Sequence, residues 1–351
     1  MKKAFFLIVT TFMLTSCEAI FEAATGAQQY TIGNAYEVLL VCDNEVWESD
    51  LGQELRLTLR SGIPGLPQYE DAFVVTRISP DEFTGVKKQF RNIVYVKIDR
   101  DYYTAPALRF KRDVNASSQI IMTIQAPTIE SCAAYVKENS QTIIDFLNGV
   151  EMERQKKILE NNYNMEANSL TEKMFGSSIK IPLDIQGKKV GTDFIWFSDM
   201  NSTNPDIKSF AIYSYPYNGP EDFSMDNFIH MRDSMMKANV QGSDNEYVTT
   251  DRTSVTLEDQ GYNERYVQVA RGLWRMQNAL EPWGGPFVSH SVVDEVNNRV
   301  IVVETFIFAP GKRKGDIIRK LETSLHTLEL PVDKILKSTP GAKDAVIEAK
   351  K

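Results

Sequence analysis

The chain is poor in the residues that do chemistry. Its three histidines, His230, His290 and His326, lie far apart along the sequence, and no H-E-x-x-H or C-x-x-C pair occurs, so no metal-ligand set is evident. No G-x-G-x-x-G or G-x-x-x-x-G-K loop is present to cradle a phosphate, and no G-x-S-x-G elbow to present a nucleophilic serine. Ser289-His290-Ser291 and Asp294 supply the residue types of a hydrolytic triad, but neighbours on a strand point to opposite faces, so Ser289 and His290 cannot react together. The acidic runs 43–50 and 244–246 lack the spaced oxygens and glycine of a calcium loop. No cofactor and no metal are expected, and the balance is against an enzyme. Positive charge is also short: 39 Lys and Arg face 47 Asp and Glu, a net charge of −8. Such a chain has no overall electrostatic case for nucleic acid.

Long apolar runs are absent apart from residues 4–14, too few to span a bilayer as a stable helix. That run follows Lys2 and Lys3 and ends in Leu14-Thr15-Ser16-Cys17, so it reads as a signal peptide over 1–16. The small residues abutting a cysteine resemble a bacterial lipobox, in which that cysteine carries the acyl chains (palmitate among them) and becomes the mature N-terminus. Losing two lysines with the signal leaves the mature chain at −10. Cys17 is then lipidated, and the membrane is a partner through its acyl chains, two or more of which hold durably. Glu18 is not followed by a run of further acids, so no surface-export signal is evident; the expected address is the outer membrane, periplasmic face, with the cell surface left open. Cys42 and Cys132 remain: either a disulfide closing a long loop, or two small buried hydrophobes.

With 42% hydrophobic and 25% charged residues the chain is globular. We expect an α+β protein of two domains, each a mainly antiparallel sheet packed with helices, joined by a long helix. Residues 17–32 read as a tether, 33–163 as an N-terminal domain ending in that helix, 164–330 as the C-terminal domain, and 331–351 as a disordered tail. Strands are expected over 36–42, 72–78, 92–99 and 119–126, with a helix over 47–59 carrying Leu51, Leu55 and Leu59 on one face. Thr128 starts the long helix, whose charged part beyond Val150 is expected to project toward the second domain. There, strands are expected over 179–185, 192–198, 209–216, 247–257, 265–273, 287–293 and 299–308, with helices over 224–239 and 316–328.

One segment stands out as a binding patch: Trp274, Arg275, Trp283, Gly284, Gly285, Phe287 and His290. Tryptophan and arginine together supply contact area and directional hydrogen bonds, and paired glycines let a backbone or ligand approach closely. The alternative is a loop whose tryptophans merely cover the end of the sheet. Lys312-Arg313-Lys314 with Arg319 and Lys320 forms a basic cluster on an acidic protein, suited to lipid headgroups or an acidic glycan unless it is a solvated helix start.

Several segments together resemble a family of uncharacterised Gram-negative envelope lipoproteins, classed as a domain of unknown function. They are Gly65-Leu66-Pro67-Gln68 with Glu70, Arg91-Asn92, Arg271-Gly272-Leu273-Trp274-Arg275-Met276, Gly284-Gly285-Pro286-Phe287 and Phe308-Ala309-Pro310-Gly311. The likeness spans Gly33 to Leu330 and implies an envelope address but supplies no activity. The element order of the second domain is loosely similar to PsbP/Mog1-type folds, which mostly serve in binding or assembly. The expected function is a lipid-anchored envelope protein acting as a non-enzymatic binding or assembly module, with an envelope protein or glycan as partner. The alternative is a glycan- or peptide-processing enzyme whose site is dispersed.

Overall fold

The structure, a computed structural model, describes residues 29–200, 206–243, 245–262 and 265–338. The lipobox, most of the expected tether and residues 339–351 lie outside the described residues. Two sheets organise the chain, and the α+β, two-domain expectation holds.

The first sheet has the order β2-β1-β3-β5-β4, with β1 Glu37–Val41, β2 Val74–Ile78, β3 Asn92–Ile98, β4 Ala107–Arg112 and β5 Ile120–Ala126. It is mixed rather than mainly antiparallel. The β1/β2, β1/β3 and β3/β5 pairs are parallel, and only β4/β5 is antiparallel. Parallel neighbours need a long crossover. Between β1 and β2 it is supplied by helices α1 (Asn44–Glu48) and α2 (Asp50–Leu59). Leu51, Leu55 and Leu59 face the sheet from α2 as the i+4 spacing requires. The long helix is two: α3 (Ile129–Glu138), capped by Thr128, and α4 (Ser140–Asn161), with Asn139 out of helical conformation between them. Cys42 and Cys132 are free thiols in the core between sheet and helices, so the disulfide reading is corrected to the buried-hydrophobe one. Desolvation pushes both thiols up, Cys132 to about 12.

The part of α4 expected to project instead anchors the domain. Glu151, almost fully buried, accepts from Arg91 Nε (3.1 Å), Asn92 Nδ2 (2.7 Å) and Arg154 Nη1 (2.7 Å). A buried carboxylate persists only when its oxygens are taken up in this way. The last residues of the expected tether are also docked, with Tyr30 bridging Ser117 and Ile32 bridging Phe90.

The second sheet is antiparallel throughout, in the order β6-β7-β8-β12-β11-β10-β9. Its strands are β6 Gly187–Gly191, β7 Phe194–Ser198, β8 Ile207–Pro216, β9 Tyr247–Tyr262, β10 Arg265–Gln277, β11 Gly284–Asp294 and β12 Arg299–Phe308. Central β12 is buried along nearly its whole length, as its two-sided apolar sequence requires. One face carries α5 (Met165–Phe175) and α7 (Gly315–Leu325), the other α6 (Met225–Asn239). Residues 179–185 are not a strand. Ile179, Ile181 and Ile185 are fully buried, but Pro182 lacks a backbone donor and the segment makes only isolated bridges. The expected disordered tail is ordered at its start, where α8 (Pro331–Ser338) is pinned by the Asp333–Arg265 and Lys334–Glu172 ion pairs.

The domains are clamped at the N-terminus of α7. Glu70, from the first domain, accepts from the backbone N–H groups of Lys314 (2.7 Å) and Gly315 (2.9 Å), occupying free helix donors with a carboxylate. A Cβ on Gly315 would sit 2.3 Å from Ile63 Cδ1, so the glycine lets the Ile63 side chain pack directly on the helix start. Arg319 of α7 lies 3.6 Å over the Tyr36 ring.

Candidate functional site

A cavity of about 710 Å³ opens at one end of the α6 face of the second sheet. Strand periodicity builds it. Residues two apart share a face, so Trp196 of β7, Ile207 and Ser209 of β8, Phe306 and Phe308 of β12, and Trp274 and Met276 of β10 stand side by side. Helix α6, 15 residues long, spans roughly 22 Å at 1.5 Å per residue. A ten-residue strand such as β12 runs to roughly 34 Å. The helix therefore stops short, and the last rows of side chains stay uncovered beyond Val240.

The walls are aromatic and apolar. Trp283 stacks on Phe308 with ring centroids 4.5 Å apart and planes 11° from parallel. Trp274 meets Phe306 edge-on at 5.7 Å, and its indole N–H donates to the Ile307 carbonyl (3.1 Å). That bond crosses β11 at Gly285, where a Cβ would lie 2.0 Å from the same carbonyl oxygen. The paired glycines thus admit a neighbouring strand and an indole. Few polar groups reach the cleft: Ser209, Gln241 and Glu246. Trp196 adds a buried indole N–H with no acceptor among the described residues.

Of the expected patch, Trp274 and Trp283 line the cleft, and Gly284 and Gly285 shape its edge. Arg275 is solvent-exposed. Phe287 is fully buried, with the Arg232 guanidinium 4.0 Å over its ring, and so contributes nothing to a surface. His290 lies on the opposite face of the sheet. Trp196, Phe306, Phe308, Met276 and Val240 were not expected; their only sequence signal is the i, i+2 alternation of strands whose pairing the sequence leaves open.

Beside the cleft, Arg232 and Glu304 form an ion pair with no side-chain exposure. Arg232 Nε donates to Glu304 Oε2 (2.9 Å), Nη2 to Oε1 (2.7 Å) and Nη1 to Thr250 Oγ1 (2.7 Å). Burial pushes the Glu304 carboxyl up, opposed by the guanidinium.

On the other face the structure brings together two histidines that are distant in sequence. His290 of β11 and His326, just past α7, pack edge-to-face at 4.7 Å beside Glu322. Ligand atoms of the three lie within 4.8 Å of one another, the grouping a metal requires. Arg271, however, engages both Glu322 oxygens (2.6 and 3.0 Å), and its fixed positive charge already fills the role of a cation. Although burial raises it, the Glu322 carboxyl is held far below its ordinary range by Arg271 and His290; burial and the His290 neighbour push His326 down to about 3. The cluster is a buried lock between β10, β11 and α7. Ser289 points to the Glu304 side, and Asp294 pairs with Arg299, so the triad residue types are not assembled.

A second cavity of about 490 Å³ lies between the domains, lined by Tyr36, Arg91, Glu151, Asp184 and Lys208 among others. Its arginines are bound to Glu151, and Lys208 to Asp184 and Asp199. The basic cluster of 312–320 is largely consumed as well: Lys312 pairs with Asp206, Arg313 with Glu70 and Arg319 with Asp316.

These features define a two-domain α+β protein with an aromatic cleft in its second domain. Two family models match the chain, a domain of unknown function (DUF8532) over residues 31–160 and a domain of unknown function (DUF4837) over 164–327. The chain thus carries two successive domains of unknown function, consistent with an uncharacterised family. No curated protein matches it. One solved structure, from Bacteroides thetaiotaomicron, is 15% identical over 44% of this chain with a TM-score of 0.19; the match spans 44% of that protein's length.

Proposed function

We propose that this protein is a lipid-anchored envelope protein whose second domain binds a small, largely apolar ligand in the aromatic cleft. One observation carries the reading: about 710 Å³ of space walled by Trp196, Trp274, Trp283, Phe306 and Phe308, with a few polar groups at its edges. Pockets of 300–1,000 Å³ with apolar walls and sparse polar groups are the usual form of a small-molecule site. An assembly contact through the same segment would need Trp283 and Phe287 together on an exposed apolar surface. Phe287 is instead buried, and Trp283 is 40% exposed at the edge of the cleft. The ligand is an apolar ring or chain that stacks on the tryptophans and carries an acceptor for the Trp196 indole. A helix across an antiparallel sheet, the arrangement that suggests PsbP/Mog1-type modules, also suits binding.

Anchoring rests on the Leu14–Cys17 motif. Among the described residues no helix is long and apolar enough to cross a membrane. The reading of outer-membrane retention at the periplasmic face is supported by the motif and by the lack of a run of acids after Glu18; the cell surface is the alternative. The test is to purify the protein from its native membranes, extract it with organic solvent and compare wild type with Trp283→Ala by mass spectrometry. An apolar small molecule enriched on the wild type and lost from the folded variant supports the reading. Equal recovery from both removes the cleft as its site, and an unacylated Cys17 in the intact mass removes the anchor.

A further inference from the structure

We propose that the helix-free face of the first sheet lies against the membrane and binds anionic phospholipid headgroups. The acidic charge of the chain is unevenly placed. Residues 85–112 hold eight Lys and Arg against two Asp, in a protein whose net charge is −8. Arg91 and Arg112 are spent on Glu151 and Glu153. The other six, Lys87, Lys88, Lys97, Arg100, Arg109 and Lys111, form no ion pair among the described residues. Cations clustered without counter-charges on an acidic protein make a local positive field that attracts an external anion.

Strand register collects three of them, Lys97, Arg109 and Lys111, on one face. The helices α2, α3 and α4 cover the face bearing Val38, Val94 and Met122. On the other face, Phe83 and Phe90, beside the short 3-10 turns Pro80–Glu82 and Gly85–Gln89, cover Leu39, Val41 and Ile93, but among the described residues no α-helix follows across β3, β5 and β4. A sheet with parallel pairs is normally covered on both sides. Here the uncovered half presents three cross-strand rows: Lys97–Gln125–Ala107, Tyr95–Thr123–Arg109 and Ile93–Ile121–Lys111. Three cations thus project from one plane, among hydroxyl and amide groups able to meet phosphate and glycerol oxygens.

The path of the chain supplies the occupant. Residues 29–32 enter at the Lys111 end of this surface, where Ile32 N–H donates to the Gln89 carbonyl (3.0 Å) and Ser117 N–H to the Gln29 carbonyl (2.7 Å). Gln119 ties the two flanking loops together through the Lys88 and Phe90 carbonyls (2.6 and 2.8 Å). Eleven residues separate Cys17 from Gln29. They reach at most ~40 Å, so a chain acylated at Cys17 holds this end of the first domain at the bilayer. Tyr30, Val86 and Val114, exposed by 86, 66 and 50%, surround the entry point and suit the interface beneath the headgroups. The orientation rests on the anchoring reading; the charge of the face does not.

The test therefore uses the mature chain carrying Cys17→Ser, which cannot be acylated, in co-sedimentation with vesicles. Vesicles of phosphatidylcholine mixed with phosphatidylglycerol should bind it, pure phosphatidylcholine should not, and added salt should release it. Each of Arg109→Gln and Lys111→Gln should lower the partition coefficient about fivefold, and the pair about twenty-five-fold. Lys312→Gln, on the second domain, should change nothing. Both positions of the pair are exposed, and an unchanged Tm verifies folding. Equal binding to neutral vesicles, a loss only in Lys312→Gln, or binding to soluble heparin without binding to vesicles overturns the proposal. Intact mass of the wild-type protein reports on Cys17 independently.

Discussion

Arg232→Met should be among the costliest single changes in this protein. The guanidinium makes three contacts to Glu304 within 3.1 Å and one to Thr250, in a site with no side-chain exposure on either partner. Removing one member of a buried pair leaves the other charged and unsolvated, which costs about 3–5 kcal/mol. The loss should depend on pH. Burial already raises the Glu304 carboxyl, and without Arg232 it rises further. A raised carboxyl takes up protons in the fold that the unfolded chain releases, so the variant's deficit relative to wild type should be smallest below about pH 4.5 and grow as pH increases. Glu304→Leu alone should cost a similar amount by stranding Arg232. The double variant should cost far less than the sum, because the charges leave together and apolar side chains fill the space. Urea unfolding followed by tryptophan fluorescence reads this well, since Trp196, Trp274 and Trp283 all report on the second domain. Single variants each costing under about 1 kcal/mol, or strict additivity in the double, would refute the reasoning.

His326, held down to about 3 by burial and by His290, stays neutral in the fold while the unfolded chain protonates near pH 6.5. Stability should therefore fall as pH drops below 6.5, by about 2 kcal/mol at pH 5, and His326→Asn should flatten that window in urea titrations. Glu70→Ala should cost about 1–2 kcal/mol by exposing two free α7 donors. Limited proteolysis should then cut the segment around Gly65. In the Cys17→Ser chain, Cys42 and Cys132 should be inert to thiol reagents in the native state, titrate as two thiols on unfolding, and leave Tm indifferent to reductant.

How much of this was legible depends on how local the signal is. Strand β12 and helices α6 and α7 carry their periodicity in plain view. Helix α5 was missed because Met165–Phe175 is largely polar, although Asn164 as N-cap and Gly176 in left-handed conformation were both available as boundary signals. Strand β4 reads as polar because it is an edge, with Arg109 and Lys111 on its open face. Parallel pairing in the first sheet depends on where α1 and α2 carry the chain, which composition does not encode. The cleft was half legible: Trp283 directly precedes a glycine pair and Trp274 lies ten residues upstream of it, whereas Trp196 and Phe306 join them only through register. His290 and His326 meet because β11 turns alternate residues toward α7, a three-dimensional fact without a sequence motif.

The account turns on the cleft, and titration with the apolar dye N-phenyl-1-naphthylamine tests it most directly. Saturable dye fluorescence on the wild type, weakened at least about tenfold in Trp283→Ala and in Trp196→Ala with Tm retained, is the predicted result. No saturable binding, or equal binding by wild type and both folded variants, would contradict it.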